Sequence, residues 1–287
     1  MTHPFGEVAA RRRQLGLALR ELRTRARLSG EQVAGLIEIS QSQVSRIELG
    51  QQAAPVALVQ QWAEAAGAAG DELAGVLQLA ESAATQTTAW RTANRRGLAT
   101  LQEDSRELEA TAGTILNYSS MRVAGLLQVP QYAQRVFAAG HPPGHPDIAA
   151  AVAARVNRQA VLHEESKHLE FVMAEVALLW PIASPGVMRA QLDRISVISG
   201  LDNVRIGIIP LDAEIAVWHD HGFNILDDRG DGPVVHVETL TAGLTIRDPA
   251  DVGRYREAFD SLRASAVFGP EAGRILERAA SRYQRQD

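Results

Sequence analysis

The tightest constraint on this chain is a helix-start signal written twice in close succession. Ser29 is followed three residues later by Gln32, and Ser40 three residues later by Gln43. In an S-x-x-Q box the serine hydroxyl accepts from the N3 backbone N–H, while the glutamine side chain reaches back to the N-cap N–H. Leu28 with Val33, and Ile39 with Val44, flank the boxes as hydrophobic staples that set how the chain enters each helix. Gly50 supplies the stop, because the C′ position favours a residue that tolerates φ > 0.

Two short helices so close together read as a helix-turn-helix, whose second helix lies in a DNA major groove. Rotating residues 41 to 48 by roughly 100° per residue separates two faces. Val44 and Ile47 fall inward, where Val33 and Leu36 of the first helix are expected to meet them. Gln41, Ser42, Ser45 and Arg46 share the outward arc. Their chemistry suits base edges: Gln pairs with adenine, Arg with guanine, Ser with either. Ser29 and Gln43 join them as candidate DNA contacts. The bland alternative is the solvated face of an ordinary helical hairpin.

A net charge of −5 and a pI near 5.9 look wrong for a DNA-binding protein until the charge is located. Residues 1–27 carry Arg11, Arg12, Arg13, Arg20, Arg23, Arg25 and Arg27 against only Glu7 and Glu21. A local basic patch is the relevant footprint, whatever the whole-chain balance. Arg12 and Arg13 either belong to an arm that touches phosphates or mark the solvated start of the first helix. Apolar Leu15, Leu19, Leu22 and Ala26 recur at helical spacing from Gln14 to Arg27.

Arg20-Glu-Leu-Arg23, Leu28-Ser29, Val33-Ala34 and Val44-Ser-Arg-Ile-Glu-Leu-Gly50 resemble the Xre/phage-repressor family of helix-turn-helix domains. The resemblance covers about the first quarter of the chain. It implies an ion pair between Arg23 and Glu48. One place departs from the pattern: Gly30 stands where many members carry a Gln that supports a phosphate contact.

Beyond this point the chain is long enough for a second core, and its balance of 46% hydrophobic and 22% charged residues is that of a soluble globular protein. No long apolar run suggests a membrane span or signal peptide, so a cytoplasmic location is expected. The absence of cysteine excludes disulfides, thiolate metal sites and thiol catalysis. Helices opened by Pro55 and Asp71 complete a five-helix domain over residues 1–80. The small polar run at 82–88 reads as a linker, and 81–100 as linker and connecting helix. Residues 101–287 then alternate: strand-like runs at 114–119, 169–174, 204–209, 223–226 and 234–237, with helices after Pro130, Asp147, Pro185, Asp251 and Glu271. The expected class is α+β, with a five-helix DNA-binding domain followed by a mixed α/β regulatory domain.

A second resemblance spans about 100–285. Gly125-Leu-Leu-Gln, Tyr132-Ala133, Ala154-Arg155, Arg158-Gln159, Glu175, Gln191-Leu192, Asn203-Val204, Gly222-Phe223 and Val237-Glu238 occur in the order found in the C-terminal domain of WhiJ-type regulators of actinobacteria, a group with antitoxin-like members. Ala124 and Val129 depart from the usual Pro and Thr. The resemblance implies a transcriptional regulator, a repressor in the simplest case, often encoded beside a small acidic companion protein. A neighbour-neutralising, antitoxin-like module is the competing reading. Either would act as a homodimer on an inverted repeat, since one recognition helix reads too few base pairs to select a site.

Other candidate sites are weaker. Arg155, Arg158 and Gln159 share a helical face, and with Glu175 they form either an anion or partner pocket or a structural ion-pair network. His219 and His221 are spaced to share one side of a strand, but two histidines without a third ligand make a solvated loop the commoner reading. G-x-S-x-G, Walker-loop and HExxH motifs are all lacking, so neither an enzyme nor a bound cofactor is expected.

Overall fold

The computed structural model describes residues 4–89, 97–140, 144–217, 220–228, 232–239 and 242–284. They fall into two compact units, Met1–Thr88 with Leu244–Val252, and Ala89–Gly243 with Gly253–Asp287.

The first unit is built from helices α1 (Pro4–Arg25), α2 (Gly30–Leu36), α3 (Gln41–Glu48), α4 (Val56–Ala65) and α5 (Gly70–Ala84). The lead-in before Gln14 is helical from Pro4 onward, as part of α1. Leu15, Leu19 and Leu22 line the buried stripe of α1 and meet Val33, Val44, Ile47, Val59 and Trp62 in one apolar cluster. Gly16 lets α1 approach the end of α3: a Cβ there would stand 2.5 Å from the carbonyl oxygens of both Ile47 and Glu48.

One residue expected to face inward does not. Leu36 is 59% exposed, and Ile37, at 5%, fills the core instead. Helix α2 ends at Leu36, and Glu38 adopts φ = 55°. The helical rotation therefore stops one residue before the position that turns inward. The run at 82–88 also differs from the linker expected there, because α5 continues to Ala84 and strand β1 (Thr85–Ala89) follows directly. The expected connecting helix begins at Leu98 in the described residues; Trp90 and Ala93 lie outside them.

In the second unit, α6 (Leu98–Thr111) leads into β2 (Ala112–Ser119). A 3-10 turn (Gly125–Leu127), α7 (Pro130–Ala139) and α8 (Ile148–Arg158) follow, and α8 tightens into a 3-10 turn at Gln159–His163. Strand β3 (His168–Ala174), the single turn α9 (Val176–Leu179), α10 (Pro185–Ile198), β4 (Val204–Ile209), β5 (Phe223–Asp228) and β6 (Gly232–Glu238) come next, and then β7 (Ala242–Ile246), whose residues from Leu244 onward, with the chain to Val252, belong to the first unit. The chain closes with α11 (Pro249–Ala264), β8 (Val267–Phe268) and α12 (Gly269–Gln284). Strands β6, β5, β2, β3, β4 and β8 lie side by side in that order. The sheet is mixed: β2 pairs β3 and β3 pairs β4 in parallel, while β5 and β8 pair their neighbours antiparallel.

Strand alternation decides what each face buries. Ile115, Leu169, Phe171, Met173, Ile206 and Ile208 join the core with Met188, Leu192 and Ile195 of α10 and Ile275, Leu276 and Ala279 of α12. On the opposite face Phe223 meets Tyr118 and, edge-on at 5.0 Å, Tyr255 of α11. The class is thus α+β, with an all-helical N-terminal region and a mixed α/β domain.

Candidate nucleic-acid interface

Both capping boxes form. Ser29 Oγ accepts from the Gln32 amide at 3.1 Å, and Gln32 Oε1 accepts from the Ser29 amide at 2.7 Å. At α3 the corresponding distances are 3.3 and 2.9 Å. These caps use side chains that sequence reading assigned to DNA. Gln43 Oε1 is occupied by the Ser40 amide and hydroxyl, and the Ser42 hydroxyl lies 2.9 Å from that of Ser40. Gln41, Ser42 and Arg46 are exposed on α3, and Ser45 is half-buried between them and the core. Val44 and Ile47 are buried on the inner side.

Helix α3 is held from α1 by a forked ion pair. Arg23 Nε and Nη2 donate to the two Glu48 carboxylate oxygens at 2.5 and 2.9 Å, and Nη1 donates to the Leu28 carbonyl at 3.0 Å. The side chains are 16% and 10% exposed. The Glu48 hydrogen bond raises the Arg23 pKa above its ordinary value, against a smaller opposing effect of burial. One guanidinium thus ties α1, the turn before α2 and the end of α3 together.

The arginines of α1 separate into different roles. Arg13 is exposed on α1, whereas Arg12 is 8% exposed and belongs to the interior. Arg25 pairs with Glu72 at 2.6 Å. Gly30 has room beside it: the nearest atoms to an added Cβ are Gln41 Nε2 and Val44 Cγ1, both at 3.8 Å.

The second unit brings together three of the four residues suggested there. Arg155 donates to Gln102 Oε1 at 3.1 Å and to Gln128 Oε1 at 2.7 Å, with its guanidinium 4.2 Å above the Phe137 ring. Burial, then the neighbouring Arg158, depress its pKa to about 10. Arg158 grips both oxygens of Glu109 and donates to Gln102 at 2.5 Å. Gln159 donates to the Gln128 carbonyl at 2.6 Å. Glu175 stands apart from this network: it accepts from the Leu211 amide at 3.0 Å and faces Arg278 at 3.7 Å. Gln102, Glu109 and Gln128 are members that sequence reading missed, for they come from other elements and carry no local signal. His219 lies outside the described residues. Among the described residues no cluster of three metal-ligating side chains forms, and no helix is long and apolar enough to cross a membrane.

Two family models match the sequence. One, described as a Helix-turn-helix domain, matches residues 14–75, which contain α2 and α3 with both capping boxes. The other, described as Domain of unknown function (DUF5753), matches residues 102–278, more than half of the chain. The chain belongs to the DUF5753 family. The DUF5753 match takes in β2 to β8 and the whole Arg155–Arg158 network. No curated protein matches the sequence. A solved structure described as "Structure of TrmBL2, an archaeal chromatin protein, shows a novel mode of DNA binding" is 13% identical, over 74% of this chain and 68% of that one. Its TM-score of 0.32 is too low to signify a shared fold. The chain therefore joins a helix-turn-helix DNA-binding domain to a DUF5753 domain.

Proposed function

We propose that this protein is a sequence-specific transcriptional repressor that binds an inverted-repeat operator as a homodimer in the cytoplasm. The observation that carries the reading is α3 itself: doubly anchored by its capping box and by Arg23–Glu48, with Gln41, Ser42 and Arg46 exposed in a row. Helix termini held this way let the outward side chains act from a rigid element, which base discrimination needs. The test is selection of bound duplexes from a random library, followed by sedimentation of the complex. A palindromic consensus with half-sites ~10 base pairs or a multiple apart supports the proposal. A monomer on DNA, or binding without sequence preference, refutes it.

The second domain, of the WhiJ-like type on this reading, regulates by binding and performs no catalysis. One observation favours a protein partner, the small acidic companion, over a metabolite. The buried Glu170 carboxylate is ringed by His168, Arg205 and Arg263 at 3.7–3.8 Å, all three 42–51% exposed. Arg205 and Arg263, the latter also paired with Asp260 at 2.9 Å, set two exposed guanidiniums beside one buried carboxylate, a surface that an acidic partner complements. Co-purification with the neighbouring gene product, abolished by Arg205→Glu with Arg263→Glu, is the expected result. An antitoxin-like role would appear as relief of that neighbour's toxicity on co-expression.

A further inference from the structure

Helix α3 ends at Glu48, yet one residue beyond it remains coupled to the reading face. The chain turns at Gly50, where φ is +68° and an added Cβ would lie 2.7 Å from the Arg13 backbone nitrogen. Only glycine fits a turn pressed so close against α1. Past it, the amides of Gln51 and Gln52 return to the Arg46 carbonyl at 2.8 and 3.3 Å. The Gln52 side chain then accepts from Arg46 Nε at 3.1 Å. The turn is thus pinned at both ends, by α1 behind it and by the backbone of α3 before it.

A guanidinium carries its N–H donors in a rigid planar fork. With Nε–H engaged by Gln52, the Nη1 and Nη2 edge is left at the tip of an exposed side chain. We propose that Gln52 is a positioning residue for base reading, holding Arg46 so that its Nη1/Nη2 edge meets O6 and N7 of a guanine in the major groove. The proposal rests on the reading of α3 as the recognition helix. Arg46 is exposed and Gln52 half-buried, so the bond adds little to fold stability. Its effect lies in restraint, because arginine is among the side chains with most rotamer freedom to lose on binding.

The experiment uses the full chain and the duplex that the wild-type protein selects, with each base pair substituted singly. Arg46→Ala should abolish discrimination at one G·C pair. Gln52→Met, which keeps length but removes the acceptor, should reduce discrimination at that same pair by roughly three- to tenfold, a fraction of a good bidentate contact. Its melting temperature and its affinity for unrelated duplex should stay at the wild-type values. Gln52→Glu, which retains the acceptor, should preserve the discrimination. The proposal is overturned if Gln52→Met discriminates like wild type, if it weakens binding to all duplexes equally, or if Gln52→Glu fails alongside it. If Arg46→Ala keeps the base preference, the recognition-helix reading itself falls, whatever the Gln52 variants do.

Discussion

The Arg23 guanidinium and the Glu48 carboxylate meet fork to fork across helices α1 and α3, at 2.5 and 2.9 Å. Such a pair adds little over a well-packed apolar replacement, but removing one partner strands the other in a partly dry site. Arg23→Ala and Glu48→Ala should each destabilise the first unit by ~2 kcal/mol, less than the ~3–5 of a fully buried pair because both side chains keep some exposure. The double variant should lose less than the sum of the two, the mark of direct interaction. Chemical denaturation of all four proteins measures the coupling, and strict additivity would mean that the two do not support one another.

Two glycines of the same unit should respond oppositely to alanine. At Gly30 the added methyl finds its nearest atoms at 3.8 Å, so Gly30→Ala should stabilise by ~0.5–1 kcal/mol through lower backbone entropy in the unfolded chain. At Gly16 it would press on two carbonyl oxygens at 2.5 Å, and Gly16→Ala should destabilise by ~1–3 kcal/mol by separating α1 from α3. Melting curves of the two variants check both signs.

Arg12 and Arg13 are adjacent in sequence but should fail in different assays. Arg13 is exposed, so Arg13→Ala should lower affinity for all duplexes alike and reduce the salt slope by ~1, one phosphate contact. Arg12 is 8% exposed, so Arg12→Ala should shift the melting temperature and leave the salt slope near the wild-type value. Binding isotherms across a salt series separate the two.

His236 of β6 has a buried Nδ1 without a hydrogen-bond partner. Burial holds its pKa below the usual histidine value; Glu238 pulls it upward, and Arg158 adds to the depression. The folded state therefore binds this proton less readily than the unfolded chain does. Stability is complete above the ordinary histidine pKa of ~6.5 and declines as the pH falls from there toward the lower folded value. His236→Asn should flatten that part of the profile. Urea denaturation at pH 7.5 and at pH 5.5 shows it, and an unchanged profile in the variant would assign the acid sensitivity to other groups.

What was legible in the sequence divides by range. The capping boxes, the Gly50 stop and the inner face of α3 depend on residues within one turn of each other, and spacing alone reveals them. Arg23–Glu48 was accessible only through family resemblance, because nothing local relates two residues on different helices. Leu36 and Ile37 were exchanged because a periodicity argument cannot locate where the rotation stops, and the left-handed turn at Glu38 is carried by no glycine or asparagine. Arg155 and Arg158 share a face by spacing, but their partners Gln102 and Gln128 lie 53 and 27 residues from Arg155. Glu175 entered that group because motif order says nothing about direction in space. Strands β7 and β8 are too short and mixed in composition to register as strands.

The chain's single lysine, Lys167, is 6% exposed. Its ammonium is spent on the carbonyls of Glu109, Ala110 and Ala112 at 2.9, 2.7 and 2.8 Å, where α6 gives way to β2. Side-chain amine chemistry therefore has almost no purchase on this protein. Acyl transfer, ubiquitin conjugation and lysine-directed cross-linkers all meet one nitrogen that is already surrounded, and every side-chain cation that the surface offers to a nucleic acid or partner is a guanidinium or an imidazole. Reagents that map interfaces through arginine or carboxylate groups will report on this molecule where lysine reagents stay silent.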